Sequence, residues 1–246
     1  MLPTMQIGPL SIAVPGLIIL VGLWIALYLS ERRAVLHQIS PNLIYNLVVW
    51  SMVAGIVGAR LAFLARYPQA FIKNPLSLIS LNPGLLDPLA GSLIGITCFV
   101  IYINRVKASW WSVLDAITPG LIFFYIALNL SQFASGSSYG LPTTMPWAIR
   151  LWESNRHPVQ IYAAFTGAML LGWIWFSYKQ EASSAPGVLF LKSLLLISAT
   201  HLFIAGFRES GATIGAGIRS EQIITWMILA SSFWLYRKRY TTKTFV

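Results

Sequence analysis

The sequence predicts an all-α protein that crosses a membrane about seven times. Of its 246 residues, 57% are apolar and only 10% are charged, whereas a soluble domain typically carries about 25% charged residues. The apolar residues gather in long runs that short polar segments separate. Each run is long enough to cross roughly 30 Å of hydrocarbon as a helix. We therefore expect a single polytopic transmembrane domain over residues 1–246.

Seven apolar runs are the predicted membrane-spanning helices. Charged residues are sparse inside them, and turn-forming residues stand between them. The runs cover residues 9–30, 43–66, 85–104, 110–134, 158–178, 187–207 and 221–236. Because the first run is full length and lacks a basic leader, we expect it to be a retained span and not a cleaved signal peptide.

Basic residues between the spans predict the orientation of the chain. If the N-terminus lies outside, the cytoplasmic segments contain more lysine and arginine than the outer segments. Since positive residues favour the cytoplasmic side, we expect the N-terminus outside and the C-terminus in the cytoplasm. The net charge of +10 then reflects membrane topology, and we expect no nucleic-acid partner.

Three connections on the predicted outer side are elaborated, and the inner connections are minimal. The long ones cover residues 67–84, 135–157 and 208–220. They are rich in glycine, proline or serine, which are typical of turns. We therefore expect the working surface of the protein to face outward.

The segment RHPVQIY, residues 156–162, stands at the predicted start of the fifth span. Its proline suits the first turn of a helix, because the missing N–H would be unpaired there. Arg156 supplies a cation, His157 a titratable ring, and Gln160 and Tyr162 supply hydrogen-bonding groups. Such groups at a helix start could hold an anionic headgroup or a reacting polar group. A charged flank with ordinary interfacial anchors would give the same pattern.

Ionisable residues inside the predicted spans are further candidates. A charge within the bilayer costs about 2.5–3.5 kcal/mol on insertion scales, so Arg60 should face protein, water or a lipid phosphate. His201 and Arg208 are seven residues apart, which puts them on nearly the same helix face. With Arg60 and Arg156 they could surround one outward-facing cavity. The alternatives are an arginine that extends along its own stem to the interface and a hydrogen-bonded core histidine.

Other polar residues in the spans are interpreted as structural. Asp115 stands near a helix N-terminus, where the macrodipole favours a carboxylate. Cys98 is a small core residue, and Lys192 can extend to the cytoplasmic interface. The sequence has no metal-binding spacing, so we expect neither a metal nor a cofactor.

Several motifs, in order along nearly the whole chain, resemble those of bacterial prolipoprotein diacylglyceryl transferase. They are Ile7-Gly8-Pro9, Gly58-Ala59-Arg60, residues 90–95, Asp115, Phe133, Gly136, Tyr139-Gly140, residues 142–148, RHPVQIY, Phe207-Arg208 and Gln222. The resemblance implies a seven-span enzyme of the bacterial inner membrane. Such an enzyme moves a diacylglyceryl group from phosphatidylglycerol to the thiol of a lipobox cysteine in an exported preprotein and releases glycerol phosphate. The implied partners are this phospholipid and lipobox-bearing preproteins.

The chain departs from the family's pattern at several polar positions. The histidine of the family's Phe-His-Gly-Gly turn aligns with Ala90. In the signature Gly-Arg-x-Gly-Asn-Phe-x-Asn-Gly-Glu, the arginine aligns with Asn129, the first asparagine with Gln132 and the glutamate with Ser137. An arginine of the sixth span aligns with His201.

The resemblance and the chemistry together give the candidate site. The candidate bases are His157 and His201, because an imidazole titrates near neutral pH. Arginine binds phosphate with parallel hydrogen bonds. The candidate substrate-binding residues are Arg60, Asn129, Gln132, Arg156, Gln160, Tyr162 and Arg208.

Two functions remain open at this stage. One is the transferase reaction, and the other is a non-catalytic accessory protein that binds phospholipid or a lipoprotein segment. A transporter is the least favoured reading, because the sequence lacks the inverted repeats and paired broken helices typical of that class.

Overall fold

The computed structural model describes residues 4–7, 10–73, 83–151, 153–177, 185–209, 213–214 and 218–242. Helices dominate these residues, which confirms the predicted all-α class. The helices are α1 (Val14–Ala34), α2 (Pro41–Arg66), α3 (Pro68–Lys73), α4 (Pro88–Arg105), α5 (Trp110–Ser135), α6 (Val159–Phe176), α7 (Val188–Ala205) and α8 (Ser220–Thr242). The strands form antiparallel hairpins, β1 (Thr4–Ile7) with β2 (Leu10–Ala13), β3 (Ile149–Leu151) with β4 (Ser154–Arg156), and β5 (Thr213–Ile214) with β6 (Ile218–Arg219).

Six helices within the described residues, α1, α2, α4, α5, α6 and α7, are long and apolar enough to cross a membrane. The protein is therefore a multi-pass membrane protein, as predicted. Helix α8 covers the predicted seventh span but is less apolar than the other six. It begins with Ser220, Glu221 and Gln222 and carries three basic residues at 237–239.

Local signals explain where the helices begin. The run predicted from residue 9 becomes helical only at Val14, because Leu10–Ala13 pair with the preceding strand. The third span begins at Pro88, three residues later than predicted. Asp87 is its N-cap and accepts a hydrogen bond from the Ala90 N–H at 3.0 Å. A capping carboxylate followed by proline is typical of a helix start.

Helix α5 is the centre of the bundle and packs on α1, α6 and α7. Its contact with α1 is close at Gly120, where an added Cβ would collide with Ser30 and Ala26. Helices α2 and α4 form a second pair, in close contact at Gly55 and Gly91. This pair packs on α1, and its buried residues share one core cluster with α5. Small residues permit such close approach in membrane helices.

The connections predicted to lie on the outer side are more structured than the sequence indicated. The predicted loop 135–157 contains the hairpin β3–β4, and the predicted loop 208–220 contains β5–β6. Residues 74–82 of the loop 67–84, and residues 210–212 and 215–217 of the loop 208–220, lie outside the described residues.

Candidate functional site

The segment 139–142 joins the RHPVQIY segment to the end of α7. The Leu141 N–H donates to the Phe207 carbonyl at 2.8 Å, and the His157 N–H donates to the Leu141 carbonyl at 3.0 Å. The backbone of 139–142 therefore lies between two strand-like segments that are about fifty residues apart in sequence. This arrangement brings the two motifs that contain Arg156 and Arg208 to one place.

Gly140 is the residue that makes this close approach possible. It forms an isolated antiparallel bridge with Arg208. A Cβ at position 140 would collide with the His157 carbonyl and lie 3.0 Å from the Phe207 carbonyl. The three segments can therefore pack at this distance only around a glycine.

Arg156 ties these outer segments together. Its Nε donates to the Leu151 carbonyl at 3.3 Å, and its Nη1 donates to the Gly140 carbonyl at 3.2 Å. Nη1 also forms an ion pair with Glu209, and the guanidinium lies 4.8 Å from the ring centroid of Tyr139. In this geometry Arg156 positions the loop, and its expected role as a phosphate ligand stays a prediction.

His157 and Tyr162 are in contact at the start of α6. The Tyr162 hydroxyl lies 3.3 Å from His157 Nδ1 and accepts a hydrogen bond from Trp147 Nε1 at 2.8 Å. The His157 ring also lies 5.2 Å from the ring of Phe207. These contacts fix the orientation of the imidazole, and the hydrogen bond at one ring nitrogen decides which nitrogen carries the proton.

The predicted amide residues lie around the end of α5. Gln160 is fully buried; its Nε2 donates to the Ser137 carbonyl at 2.6 Å, while its Oε1 has no partner among the described residues. Asn129 is buried and donates from Nδ2 to the Tyr125 carbonyl at 2.8 Å. Gln132 is partly exposed, and its carbonyl accepts the Ser137 N–H at 3.0 Å. The side chain of Gln160 thus links α6 to the turn that follows α5.

A buried polar cluster connects α5, α7 and α8. Arg208 is buried, with Nη1 3.4 Å from Glu221 Oε2. Tyr125 of α5 packs against the hydrophobic cluster around Ile204, which Phe207 also contacts. Three buried atoms of this cluster, Arg208 Nε, Glu221 Oε1 and the Tyr125 hydroxyl, have no hydrogen-bond partner in the described part of the chain. A buried polar atom without a partner costs about 1–3 kcal/mol, so this cluster is suited to a polar ligand.

Arg60 belongs to the other helix pair. Its Nη1 donates to the Leu85 carbonyl at 3.4 Å, at the turn between α2 and α4. The structure brings Arg156 and Arg208 to the same loop assembly through Gly140. The convergence of Arg60 with those two arginines stays a prediction.

Three residues of the site were missed by the sequence reasoning. Glu209 and Glu221 neutralise the two arginines and stand directly beside the motifs Phe207-Arg208 and Gln222, so a search for acidic partners could have found them. Tyr125 had no usable signal, because an aromatic residue within an apolar run is usually part of the core.

Comparisons with known proteins agree along the length of the chain. The family model described as prolipoprotein diacylglyceryl transferase matches residues 3–237. The phosphatidylglycerol–prolipoprotein diacylglyceryl transferase of Thermosynechococcus vestitus is 26% identical, over 98% of this chain and 93% of the relative. The protein of the same name from Solidesulfovibrio magneticus is 27% identical, over 95% and 92%. That from Bordetella parapertussis is 30% identical, over 76% and 75%.

Proposed function

The chain belongs to the prolipoprotein diacylglyceryl transferase family, and we propose that it transfers a diacylglyceryl group from phosphatidylglycerol to the cysteine thiol of a lipobox-bearing preprotein. The observation that carries this proposal is the family match over residues 3–237. The names of the relatives give phosphatidylglycerol and a prolipoprotein as their substrates. We propose further that residues 1–246 form one transmembrane domain of the bacterial inner membrane, with the N-terminus outside and the C-terminus in the cytoplasm.

The proposed reaction requires a base and a cation. A C–S bond forms between the cysteine sulfur and the glyceryl carbon, and the bond from that carbon to a phosphate oxygen breaks. The thiol loses its proton to a base, and glycerol phosphate leaves with the negative charge. A base typically contributes about 10²–10⁴-fold to the rate, and stabilisation of the developing charge is often the largest single contribution.

Arg208 is the phosphate ligand that the geometry favours. Its guanidinium is buried, yet Nε has no partner among the described residues and Nη1 is 3.4 Å from Glu221. An incoming phosphate oxygen could accept from Nε, and the Tyr125 hydroxyl could donate to the same headgroup. Arg156 is already bound to two carbonyls and to Glu209, so we assign it to positioning the loop.

His201 is the base that we propose. It lies near the end of α7, seven residues before Arg208 in the sequence, which favours the same side of the helix for both side chains. The alternative, His157, is held by Tyr162 at the loop surface. The family resemblance implies a histidine at position 90, and Ala90 has no side-chain group that can take a proton.

A transferase assay tests this proposal. The purified full-length chain is incubated with phosphatidylglycerol labelled in its acyl chains and with a peptide that carries a lipobox cysteine. We expect a labelled thioether product, with a rate that falls about 10²-fold or more in His201→Gln. The relative from Thermosynechococcus vestitus serves as the positive control. If that control forms product and this chain forms none, the transferase proposal is overturned.

A second candidate function is non-catalytic binding of phospholipid or of a lipoprotein segment. Ala90 favours this candidate, because it replaces the proton-accepting group that the family resemblance implies at that position. A protein of this kind would retain bound lipid after His157→Ala and His201→Ala and lose it after Arg208→Ala. Lipid extraction and mass spectrometry of the purified variants measure this, and they separate the two functions when read beside the transferase assay.

A further inference from the structure

A second basic cavity lies away from the site described above. Its volume is about 520 Å³, within the range of about 300–1,000 Å³ typical of small-molecule sites. The end of α1, the turn that follows it and the end of α6 form its walls. The lining residues are Tyr28, Leu29, Arg32, Arg33, Leu36 and Trp175.

This cavity is at the opposite end of the bundle from the RHPVQIY segment. Trp175 follows Val159 by 16 residues along α6, which corresponds to about 24 Å at 1.5 Å per residue. That separation is close to the thickness of the hydrocarbon core, roughly 30 Å. A ligand in this cavity would therefore belong to the other face of the membrane, away from the proposed substrate site.

Aromatic rings hold both arginines of the cavity in place. Arg32 Nε donates to the Tyr28 hydroxyl at 3.0 Å, and its guanidinium lies 5.1 Å from the centroid of that ring. The guanidinium of Arg33 lies 5.3 Å from the ring centroid of Trp175, and Arg33 is only 7% exposed. Arginine stacks on aromatic rings and binds phosphate through its planar N–H groups, so Arg32, which is exposed, is the residue that we assign to the phosphate. None of the lining residues carries a carboxylate.

We propose that this cavity binds the phosphate group of an anionic glycerophospholipid in the leaflet opposite to the substrate site. Tyr28 is 49% exposed and Trp175 is 63% exposed, as expected for aromatic residues at a membrane interface. Leu29 and Leu36 give the cavity apolar walls that suit the first carbons of the acyl chains of a lipid. Basic pockets between membrane helices are a recurrent mode of binding to anionic headgroups.

A bound phosphate would add a second link between two helices at this end of the bundle. Helices α1 and α6 both pack on α5, and Arg33 reaches from one to Trp175 of the other. A bound phosphate would add a bridge there through Arg32. The expected effect is lipid selectivity and stability, with no part in the transfer reaction.

Arg32→Gln is the variant that tests this site, because Arg32 is exposed and its loss should leave the fold intact. The matched control is Arg105→Gln, which removes an exposed arginine from the last turn of α4. Binding of phosphatidylglycerol, phosphatidylcholine and inorganic phosphate to the delipidated full-length chain is measured by native mass spectrometry. The Arg208→Gln background removes the contribution of the proposed substrate site.

We expect phosphatidylglycerol to bind more tightly than phosphatidylcholine, with an affinity about tenfold lower in Arg32→Gln, since one charge-assisted hydrogen bond is lost. Arg105→Gln should leave that affinity unchanged. If Arg208→Gln does not fold, the same variants in the wild-type background should show one fewer bound lipid for Arg32→Gln. Equal binding of the two lipids, an unchanged affinity in Arg32→Gln, or displacement of the lipid by inorganic phosphate would each overturn the proposal.

Discussion

The carboxylate of Asp115 in α5 accepts a hydrogen bond from the backbone N–H of Gly187, with an oxygen-to-nitrogen distance of 2.5 Å. Its other oxygen accepts the N–H of Phe190 at 2.8 Å, and the side chain is buried. The carboxylate therefore caps the N-terminus of α7, where the macrodipole favours negative charge. This contact fixes the start of the helix that carries His201 near its other end and leads into Arg208.

Asp115→Asn should destabilise the protein by about 2–3 kcal/mol. An amide retains one acceptor but loses the charge, and a hydrogen bond to a charged group contributes about 1.5–3 kcal/mol. Unfolding titrations in mixed micelles measure the free energy of unfolding. Glu153→Gln, at an exposed position, is the control for the loss of one negative charge. Equal free energies for the two variants would contradict the capping role.

Gly187→Ala should also destabilise the start of α7. Gly187 has a φ of +92°, and an added Cβ would collide with the ring of Trp111. The left-handed conformation alone costs a non-glycine residue about 1–2 kcal/mol, so we expect a loss of about 2 kcal/mol or more in the same unfolding measurement. Gly172→Ala in α6 is the control, because nothing lies within 4 Å of its added Cβ. The control should be neutral or slightly stabilising.

The membrane helices were predictable because their signals are local. The span predicted at 110–134 is observed as Trp110–Ser135: a long apolar run crosses the bilayer, Ser109 caps its start, and Gly136 ends it in a left-handed conformation. The hairpins were not predictable, because strands of two to four residues are too short to show an alternating pattern. The first span was placed too early for this reason, since Leu10–Ala13 are apolar but belong to a strand.

The candidate site was predictable only in part, for a related reason. The RHPVQIY segment could be identified because it places charges beside an apolar run. The partner of Arg156 could not be identified from the sequence, because Glu209 is 53 residues away. The two residues form an ion pair in the folded protein, where Arg156 also donates to the Gly140 carbonyl. Asp115 was correctly interpreted as structural, but the helix that it caps is α7 and not its own.

Arg156→Gln should lower stability more than Glu209→Gln. Arg156 is 12% exposed at its side chain and donates to two carbonyls as well as to Glu209, whose side chain is 40% exposed. Loss of the arginine removes the hydrogen bonds to both carbonyls and the ion pair, and a hydrogen bond to a charged group contributes about 1.5–3 kcal/mol. We expect a loss of about 3 kcal/mol for Arg156→Gln and about 1 kcal/mol or less for Glu209→Gln. Limited proteolysis within residues 139–157 provides a local readout. The reverse order of the two losses would contradict the assignment of Arg156 as a positioning residue.

Tyr125→Phe should weaken lipid binding without lowering stability. The hydroxyl is buried and has no partner within the described residues, so its removal takes away an unsatisfied polar atom and should be neutral or stabilising. If the hydroxyl donates to the bound headgroup, the affinity for phosphatidylglycerol should fall about fivefold to tenfold. Tyr67→Phe, an exposed position at the end of α2, is the control. A loss of stability with unchanged affinity would show that Tyr125 is purely a core residue.

His201→Gln and His157→Gln should affect transferase activity very differently. His201 lies near the end of α7, seven residues before Arg208, whereas His157 is held by the Tyr162 hydroxyl and the Phe207 ring. Loss of a general base lowers turnover by about 10²–10⁴-fold, so kcat should fall by that amount in His201→Gln. We expect a decrease of less than about tenfold in His157→Gln, because that ring only orients the loop. The reverse pattern would assign the base to His157. If neither variant lowers kcat, the base is a different residue.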